Sequence, residues 1–243
     1  MRVRDRRLHW PNCRNARDLG GLGTTDGRGI RRGALIRADT LERLNPEGVA
    51  ALRAYGVRRV IDLRTEGEAA RFPGPFTGDE IYRLAPLIDR QAERGRNPAA
   101  ETTLLATYCA SVDRNARSIA AGLAAVADAP SGGVVVHCYA GKDRTGMHVA
   151  LALRAAGVAL DEIAADYALT NECLRHLLAD ELASFPDAAE REEWLEQQSC
   201  TAETIVGMLE YVEDRYGSVV GYLTEIGLTD GQIGALRARL LID

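Results

Sequence analysis

Residues 134–146, VVVHCYAGKDRTG, decide how the rest of this chain is interpreted. The three valines form a β-branched run that predicts a buried strand. A short turn-like segment follows, and the apolar periodic stretch over about residues 145–156 predicts a helix. Backbone N–H groups in such a turn, together with the positive end of the helix, form an anion site. Cys138 lies in this turn and should therefore ionise readily.

The composition limits the class of protein. The 243 residues are 46% hydrophobic and 27% charged, as in ordinary globular proteins. No apolar run approaches the ~18–20 residues of a membrane helix, and the arginine-rich N-terminus lacks the apolar core of a signal peptide. We therefore expect a cytoplasmic protein, with export by another route left open. A net charge of −5 argues against nucleic-acid binding.

The cysteines indicate neither disulfides nor zinc. There are five, an odd number, and no pair has C-x-x-C spacing. Free thiols suit a reducing compartment. No metal ion and no other cofactor is expected.

The order of predicted elements indicates a single α/β domain over residues 1–243 with a helical C-terminal layer. Asn45 as a cap and Pro46 at the first position mark the start of one helix. Residues 89–100 are polar and predict a mobile connection. Strands are predicted at 57–62, 81–84 and from 134, after a hairpin that ends at 33–37. Helices are predicted at 45–55, 103–127 with a break near Asp113, 145–156, 160–184, 187–199, 201–215, 218–226 and 229–241.

The Cys138-x5-Arg144 spacing carries little weight alone. Five cysteines in a chain with roughly 12% arginine give about 0.6 matches by chance. The neighbouring residues make the motif specific. A β-branched run precedes the cysteine, His137 is adjacent to it, and Gly141 lies between the cysteine and the arginine. Thr145 and a predicted helix follow the arginine. An arginine at a helix N-terminus is also unfavourable unless an anion binds there. The combination predicts a phosphatase.

Each residue type has a role in phosphate-ester hydrolysis. Cys138 is the expected nucleophile and forms a phosphocysteine intermediate, and the Thr145 hydroxyl donates to its thiolate. The Arg144 fork binds two phosphate oxygens. His137 is more suited to holding the loop than to moving protons. The backbone N–H groups expected to cradle the phosphate are those of Tyr139, Ala140, Gly141, Lys142, Asp143 and Arg144.

Lys142 is the only lysine among 30 basic residues. This placement favours a specific demand for a compact ammonium group near the phosphate, or near a second anionic group of the substrate. The proton donor for the leaving group stays open between Asp143, in the loop, and Asp62, at a predicted strand end. Asp62 could equally be a structural partner of a nearby arginine.

HCYAGKDRTG, residues 137–146, resembles the signature loop of the cysteine-dependent tyrosine phosphatase superfamily. The Lys-Asp pair before the arginine is similar to its bacterial, atypical or triple-specificity branch. The likeness covers most of residues 12–175. It includes the motifs NARDLGG (15–21), RADTL (37–41), DLR with Glu68 (62–68), and ADY with Thr170-Asn171 (165–171).

The resemblance implies a central, mainly parallel sheet flanked by helices, hydrolysis without a metal, and phosphotyrosine as substrate. Phosphoserine, phosphothreonine and phosphoinositides are accepted by some members, where the loop lysine is associated with phosphoinositide head groups. By the same resemblance, Glu68 is expected to support the site residues. The W-P-D acid loop of eukaryotic relatives is missing, because residues 10–12 read WPN. Residues 89–112 or 172–199 could supply the helical lid that some members carry.

The same residues also fit two other functions. A catalytically silent module could bind phosphorylated ligands, although binding alone needs no thiolate. A thiol enzyme such as a sulfurtransferase would favour a shorter loop, and an arsenate reductase would favour a resolving cysteine close by. The expected partners are phosphorylated proteins or phosphoinositides as substrates.

Overall fold

The computed structural model describes residues 6–182, 187, 190–191 and 199–242. The strands are β1 (Arg17–Asp18), β2 (Leu35–Ala38), β3 (Val57–Asp62), β4 (Tyr82–Leu84) and β5 (Gly133–His137). The helices are α1 (Pro46–Ala54), α2 (Glu66–Arg71), α3 (Leu104–Arg114), α4 (Ala116–Ala127), α5 (Asp143–Ala155), α6 (Leu160–Leu182), α7 (Ala202–Tyr216), α8 (Val219–Glu225) and α9 (Asp230–Leu240).

The strands form one sheet in the order β1-β2-β5-β3-β4. β1 pairs antiparallel with β2, as the predicted hairpin requires, and the other pairs are parallel. Helices flank this sheet, and α7, α8 and α9 form a layer after it. The predicted α/β class with a mainly parallel central sheet is confirmed.

The middle strand, β5, is buried along its whole length because helices cover both faces of the sheet. Val134 and Val136 point into the larger core, which includes α5 and the C-terminal helices. Val135 points into a smaller core on the face covered by α1. Complete burial of each valine contributes about 1.5–3 kcal/mol. The packing of this strand fixes the starting point of the loop that follows it.

Most predicted helices are confirmed, with shifts at their ends. The Asn45 side chain accepts the Gly48 N–H at 2.8 Å and caps α1. The break predicted near Asp113 lies at Asn115, between α3 and α4. α5 begins at Asp143, two residues before the predicted start. The predicted helix over 187–199 and the end of the one over 160–184 lie mostly outside the described residues.

Residues 89–100 are tied to α3, which corrects the prediction of a mobile connection. They contain one turn of 3-10 helix, Ala92–Gly95. Arg114 pairs with Glu93 at 2.9 Å and with Glu101 at 2.8 Å. The Asn115 side chain accepts the Asp89 N–H at 2.8 Å. These contacts depend on groups far apart in the chain, which the local polar pattern does not reveal.

The C-terminal helices are tied to the segment before β2, because Ile30 forms a β-bridge with Leu241. One core cluster also runs from Leu19 to Leu241. Among the residues described, no helix combines the length and apolar character needed to cross a lipid bilayer.

Candidate active site

The loop from Cys138 to Lys142 joins the carboxyl end of β5 to the first turn of α5. Because β5 is the middle strand, this loop lies at the centre of the edge where the parallel strands end. The Cys138 side chain is only 3% exposed, whereas Tyr139 at the rim is 49% exposed. The unpaired N–H groups at the start of α5 face the same region. The predicted strand, turn and helix therefore meet at the cysteine.

Three successive carbonyl groups of the loop are bound from outside it. A trans peptide group points its N–H away from its carbonyl. The N–H groups of the following residues are therefore turned toward the hollow of the loop, where they can meet an anion. The Thr40 N–H donates to the Tyr139 carbonyl at 2.8 Å. The Asn15 side-chain amide donates to the carbonyls of Ala140 at 2.9 Å and Gly141 at 3.2 Å. The Arg37 guanidinium donates to the Gly141 carbonyl at 2.6 Å.

Gly141 is required at its position for two reasons. Its φ is +66°, in the left-handed region that favours glycine. A Cβ atom there would also lie 2.5 Å from the Ala38 carbonyl oxygen. The loop consequently presses against the end of β2 more closely than any side chain permits.

A buried ionic cluster stands behind the loop. Asp166, on α6, accepts bonds from Arg6 and Arg17 at 3.0 Å and from Arg37 at 2.9 Å. Burial by itself would raise the pKa of Asp166, but the three guanidinium groups hold it below its usual range. Arg17 also binds the side-chain oxygen of Asn15. The cluster thus fixes Asn15 and Arg37, the two side chains that hold the loop carbonyls.

Arg144 is held in place by Glu68. Its two terminal nitrogens donate to the two Glu68 oxygens at 2.7 and 2.9 Å. Glu68 is itself fixed by a capping box at the start of α2, where it accepts the Thr65 N–H and hydroxyl at 2.9 and 2.8 Å. The Arg144 contact lowers the pKa of Glu68 to about 2. The guanidinium is therefore oriented before any substrate oxygen reaches it.

Asp143 lies at the first position of α5 with its side chain 43% exposed. Its Oδ1 accepts the Tyr108 hydroxyl at 2.7 Å, and the Tyr108 and Tyr167 hydroxyls are 2.7 Å apart. Burial raises the pKa of Tyr108 far above its usual range, so the phenol keeps its proton. Lys142, only 6% exposed, places Nζ 3.8 Å from the same carboxylate oxygen. One oxygen of Asp143 is thus engaged, while the side chain as a whole stays partly open to solvent.

Asp62 lies at the end of β3 and is completely buried. Its oxygens accept bonds from Arg64 at 2.7 to 3.0 Å and from the Tyr82 hydroxyl at 3.0 Å. Burial would raise the pKa of Asp62, but His137 and Arg64 keep it below its usual range. His137 Nε2 is 3.8 Å from Asp62, and its Nδ1 is 3.2 Å from the Cys138 carbonyl oxygen. Asp62 is therefore an ionised carboxylate enclosed behind the loop.

Thr145 is fully buried in the first turn of α5. Its hydroxyl has no hydrogen-bond partner among the described residues. A buried hydroxyl without a partner costs about 1–3 kcal/mol, so this group is available to donate to a charge that forms in the loop.

His137 and Glu68 were predicted to support the loop, but the other residues that hold it carried no predicted role. Asn15, Arg17, Arg37 and Asp166 fall inside the motifs of the resemblance, yet nothing local shows that they meet. Tyr108 carried no signal at all. In the described part of the chain, no group of three His, Cys, Asp or Glu side chains is arranged to hold a metal ion.

Comparison with known proteins identifies relatives that cover from 68% to 95% of this chain. The triple specificity protein phosphatase PtpB of Mycobacterium tuberculosis is 29% identical over 276 residues, covering 95% of this chain and 98% of its own length. A tyrosine-protein phosphatase of Nostoc commune is 29% identical over 85% of this chain and 74% of its own length. A putative tyrosine-protein phosphatase of Cupriavidus necator is 32% identical over 68% of this chain and 63% of its own length.

The model of the tyrosine phosphatase family matches residues 8–242. This range contains the loop, the residues that hold it and the C-terminal helices. The resemblance to the bacterial, atypical, cysteine-dependent enzymes is thereby confirmed. The chain belongs to the tyrosine phosphatase family, and its activity is that of a protein-tyrosine phosphatase.

Proposed function

We propose that the protein hydrolyses phosphate monoesters, phosphotyrosine foremost, through a phosphocysteine formed on Cys138. The observation that carries this proposal is the binding of the loop carbonyls from outside, which turns the intervening N–H groups toward the hollow beside the cysteine. Arg144, oriented by Glu68, completes the positive surround. Such fixed donors stabilise the charge of a phosphoryl group in transfer.

The reaction has two steps. The Cys138 thiolate forms a bond to phosphorus as the ester oxygen leaves with its electron pair and takes a proton from Asp143. Water then attacks the phosphocysteine, the sulfur leaves as thiolate, and the Asp143 carboxylate accepts the proton of the water. The Thr145 hydroxyl supports the thiolate in both steps. His137 and Glu68 act by holding the loop and Arg144.

Asp143 is our choice as general acid over Asp62. Asp143 has one carboxylate oxygen bound by Tyr108 and its side chain partly open to solvent, so the other oxygen can carry a proton to the substrate. Asp62 is enclosed, ionised and saturated by Arg64 and Tyr82. A general acid must also reach the leaving oxygen.

The covalent intermediate is tested by rapid chemical quench. Wild-type enzyme mixed with a ³²P-labelled phosphotyrosyl peptide should carry the label on Cys138 when the quenched protein is digested and analysed by mass spectrometry. A label on another residue, or turnover with no labelled protein at any quench time, contradicts the mechanism. A persulfide on Cys138 would instead favour a sulfurtransferase.

Asp143→Asn should lower kcat by about 10²-fold for phenyl phosphate, whose leaving group needs a proton. The same variant should lose much less on p-nitrophenyl phosphate, whose leaving group departs without one. Steady-state assays of wild type and variant give the loss of kcat on each substrate, and the ratio of the two losses is compared. Asp62→Asn is the matched control, since it should leave this ratio unchanged even if it weakens the fold. The reverse pattern would assign the acid to Asp62.

The substrate range is proposed to extend to phosphoserine, phosphothreonine and phosphoinositides. The name of the mycobacterial relative states triple specificity, and Lys142 adds a second cation beside Arg144. Lys142→Met should lower kcat/KM for a soluble phosphoinositide about 10-fold more than for p-nitrophenyl phosphate, because only the former has a further anionic group. Lys142→Arg, which keeps the charge but not the compact ammonium group, should restore only part of the difference. Equal losses on both substrates would refute this role.

We further propose that the chain is one phosphatase domain in a reducing, cytoplasmic setting. The core that joins Leu19 to Leu241 supports one domain, and all five cysteines are free. A lid formed by residues 89–112 is supported by Tyr108, which reaches from α3 to Asp143. The alternative lid, 172–199, lies partly outside the described residues.

A further inference from the structure

A groove of about 840 Å³ lies between the edge strand β4 and helix α4. Its floor is partly apolar, with Ile88 and Ala121 among the lining side chains. It follows α4 from Arg117 to the C-cap Asp128, a length of about 16 Å at 1.5 Å per residue. Four arginines from separate elements line it: Arg59 on β3, Arg83 on β4, Arg90 in the segment after β4 and Arg117 on α4. The mechanism proposed above uses none of these residues.

The positive charge of the groove is incompletely neutralised. Within the described part of the chain, Arg83, Arg90 and Arg117 make no hydrogen bond or ion pair, and all three are exposed. Three carboxylates share the walls, so the four arginines exceed them by one; neutral hydrogen-bond donors orient two of these carboxylates without removing their charge. Asp89 accepts the Gln91 N–H at 2.7 Å, and Asp128 accepts the Gln232 amide at 3.2 Å. Glu66 is the third.

The groove begins beside the active site. Glu66 on its rim starts α2, two residues before the Glu68 that holds Arg144. Arg117 is at the second position of α4, which runs away from the edge where the strands end. The segment after β4 that lines the groove leaves the same edge, next to the end of β3. A chain bound at Cys138 could therefore continue into the groove.

We propose that this groove binds acidic side chains that flank the phosphotyrosine of a protein substrate. The proposal rests on the proposed function and specifies its substrate class. Arginines spaced along an elongated, partly apolar channel match an extended peptide with separated negative charges, whereas a compact head group needs cations that converge on one point. Arginine forks suit carboxylates in particular. Exposed ion pairs are individually weak, so several together give selectivity without tight binding.

The test compares two phosphotyrosyl peptides, one with glutamates and one with glutamines around the same phosphotyrosine. Wild-type enzyme should hydrolyse the acidic peptide with the higher kcat/KM, and the preference should shrink as salt rises. The double variant Arg83→Glu, Arg117→Glu should lower kcat/KM for the acidic peptide about 10-fold and change the neutral peptide and p-nitrophenyl phosphate by less than 2-fold. Arg58→Glu, an exposed site near the opposite end of β3, is a control that carries the charge change of one of the two substitutions. The single variants Arg83→Glu and Arg117→Glu are compared with it directly.

An unchanged ratio between the two peptides in the double variant overturns the groove proposal while leaving the phosphatase mechanism standing. Equal losses on every substrate, p-nitrophenyl phosphate included, also overturn it, because the groove would then act on the fold or the catalytic centre. The last measurement of the experiment is the hydrolysis of phosphoinositide in mixed vesicles. If the double variant loses phosphoinositide hydrolysis while its ratio between the two peptides stays that of wild type, the groove serves a lipid head group instead. Absence of wild-type turnover on all substrates would refute the proposed function itself.

Discussion

Replacing Cys138 by serine should lower kcat for p-nitrophenyl phosphate on the order of 10⁵-fold, since loss of the nucleophile removes the covalent route entirely. A serine hydroxyl keeps its proton near neutral pH, whereas the thiolate is the reactive form of cysteine. Steady-state assays at high enzyme concentration would measure the residual rate.

The serine variant should still bind anions, because the hydrogen bonds to the loop carbonyls and the Glu68 contact with Arg144 do not involve the sulfur. Isothermal titration with a phosphotyrosyl peptide tests this, and circular dichroism checks the fold. Cys109→Ser is the matched control: this cysteine is also free but lies on α3, and its loss should change kcat less than 2-fold. A Cys138→Ser rate within 10-fold of wild type would remove the phosphocysteine from the mechanism.

Asp166→Asn should lower the free energy of unfolding by about 3–5 kcal/mol, the usual cost of leaving buried charges without their partner. Asparagine keeps the shape of the side chain but removes the negative charge that faces Arg6, Arg17 and Arg37, all of them buried. Urea unfolding monitored by tryptophan fluorescence gives the difference at pH 7.

The pH dependence identifies the cause of this loss. Because the pKa of Asp166 is lowered in the folded protein, its contribution is fully present above the unfolded value near 4 and is lost as the pH falls below it. The difference in the free energy of unfolding between wild type and Asp166→Asn should therefore become smaller as the pH is lowered. Asp161→Asn, an exposed site on the same helix, should change the free energy by less than 0.5 kcal/mol. A loss under 1 kcal/mol for Asp166→Asn would mean that the arginines are stabilised by other contacts.

The sequence predicts the parts of this molecule whose signals are local. Three valines before Cys138 indicate the buried strand, and Asn45-Pro46 indicates the start of α1. The start of α5 is missed by two residues because Lys142, which precedes it, provides no side-chain cap. Standard capping residues are the sequence signal of a helix start, and here none marks the boundary.

The contacts that shape the site are long-range, and this is why the residues alone could not give them. Arg17 and Asp166 are 149 positions apart, and Arg144 and Glu68 are 76 apart. Asp62 and Asp143 are indistinguishable as acids in the sequence, and burial and partners separate them only in the fold. Tyr108 lies in an ordinary amphipathic helix, where an aromatic residue predicts core packing rather than contact with the Asp143 carboxylate.

The solitary lysine gives this protein a built-in reporter. Lys142 is the only side-chain amine in the chain and is 6% exposed. A lysine-specific protease can therefore cut the polypeptide at a single bond, and only in molecules whose loop has opened. Cleavage rates would measure the opening free energy of the loop from Cys138 to Lys142 directly, without labels or engineered residues. Isotopic methylation of the same amine would add one NMR signal from the centre of the site.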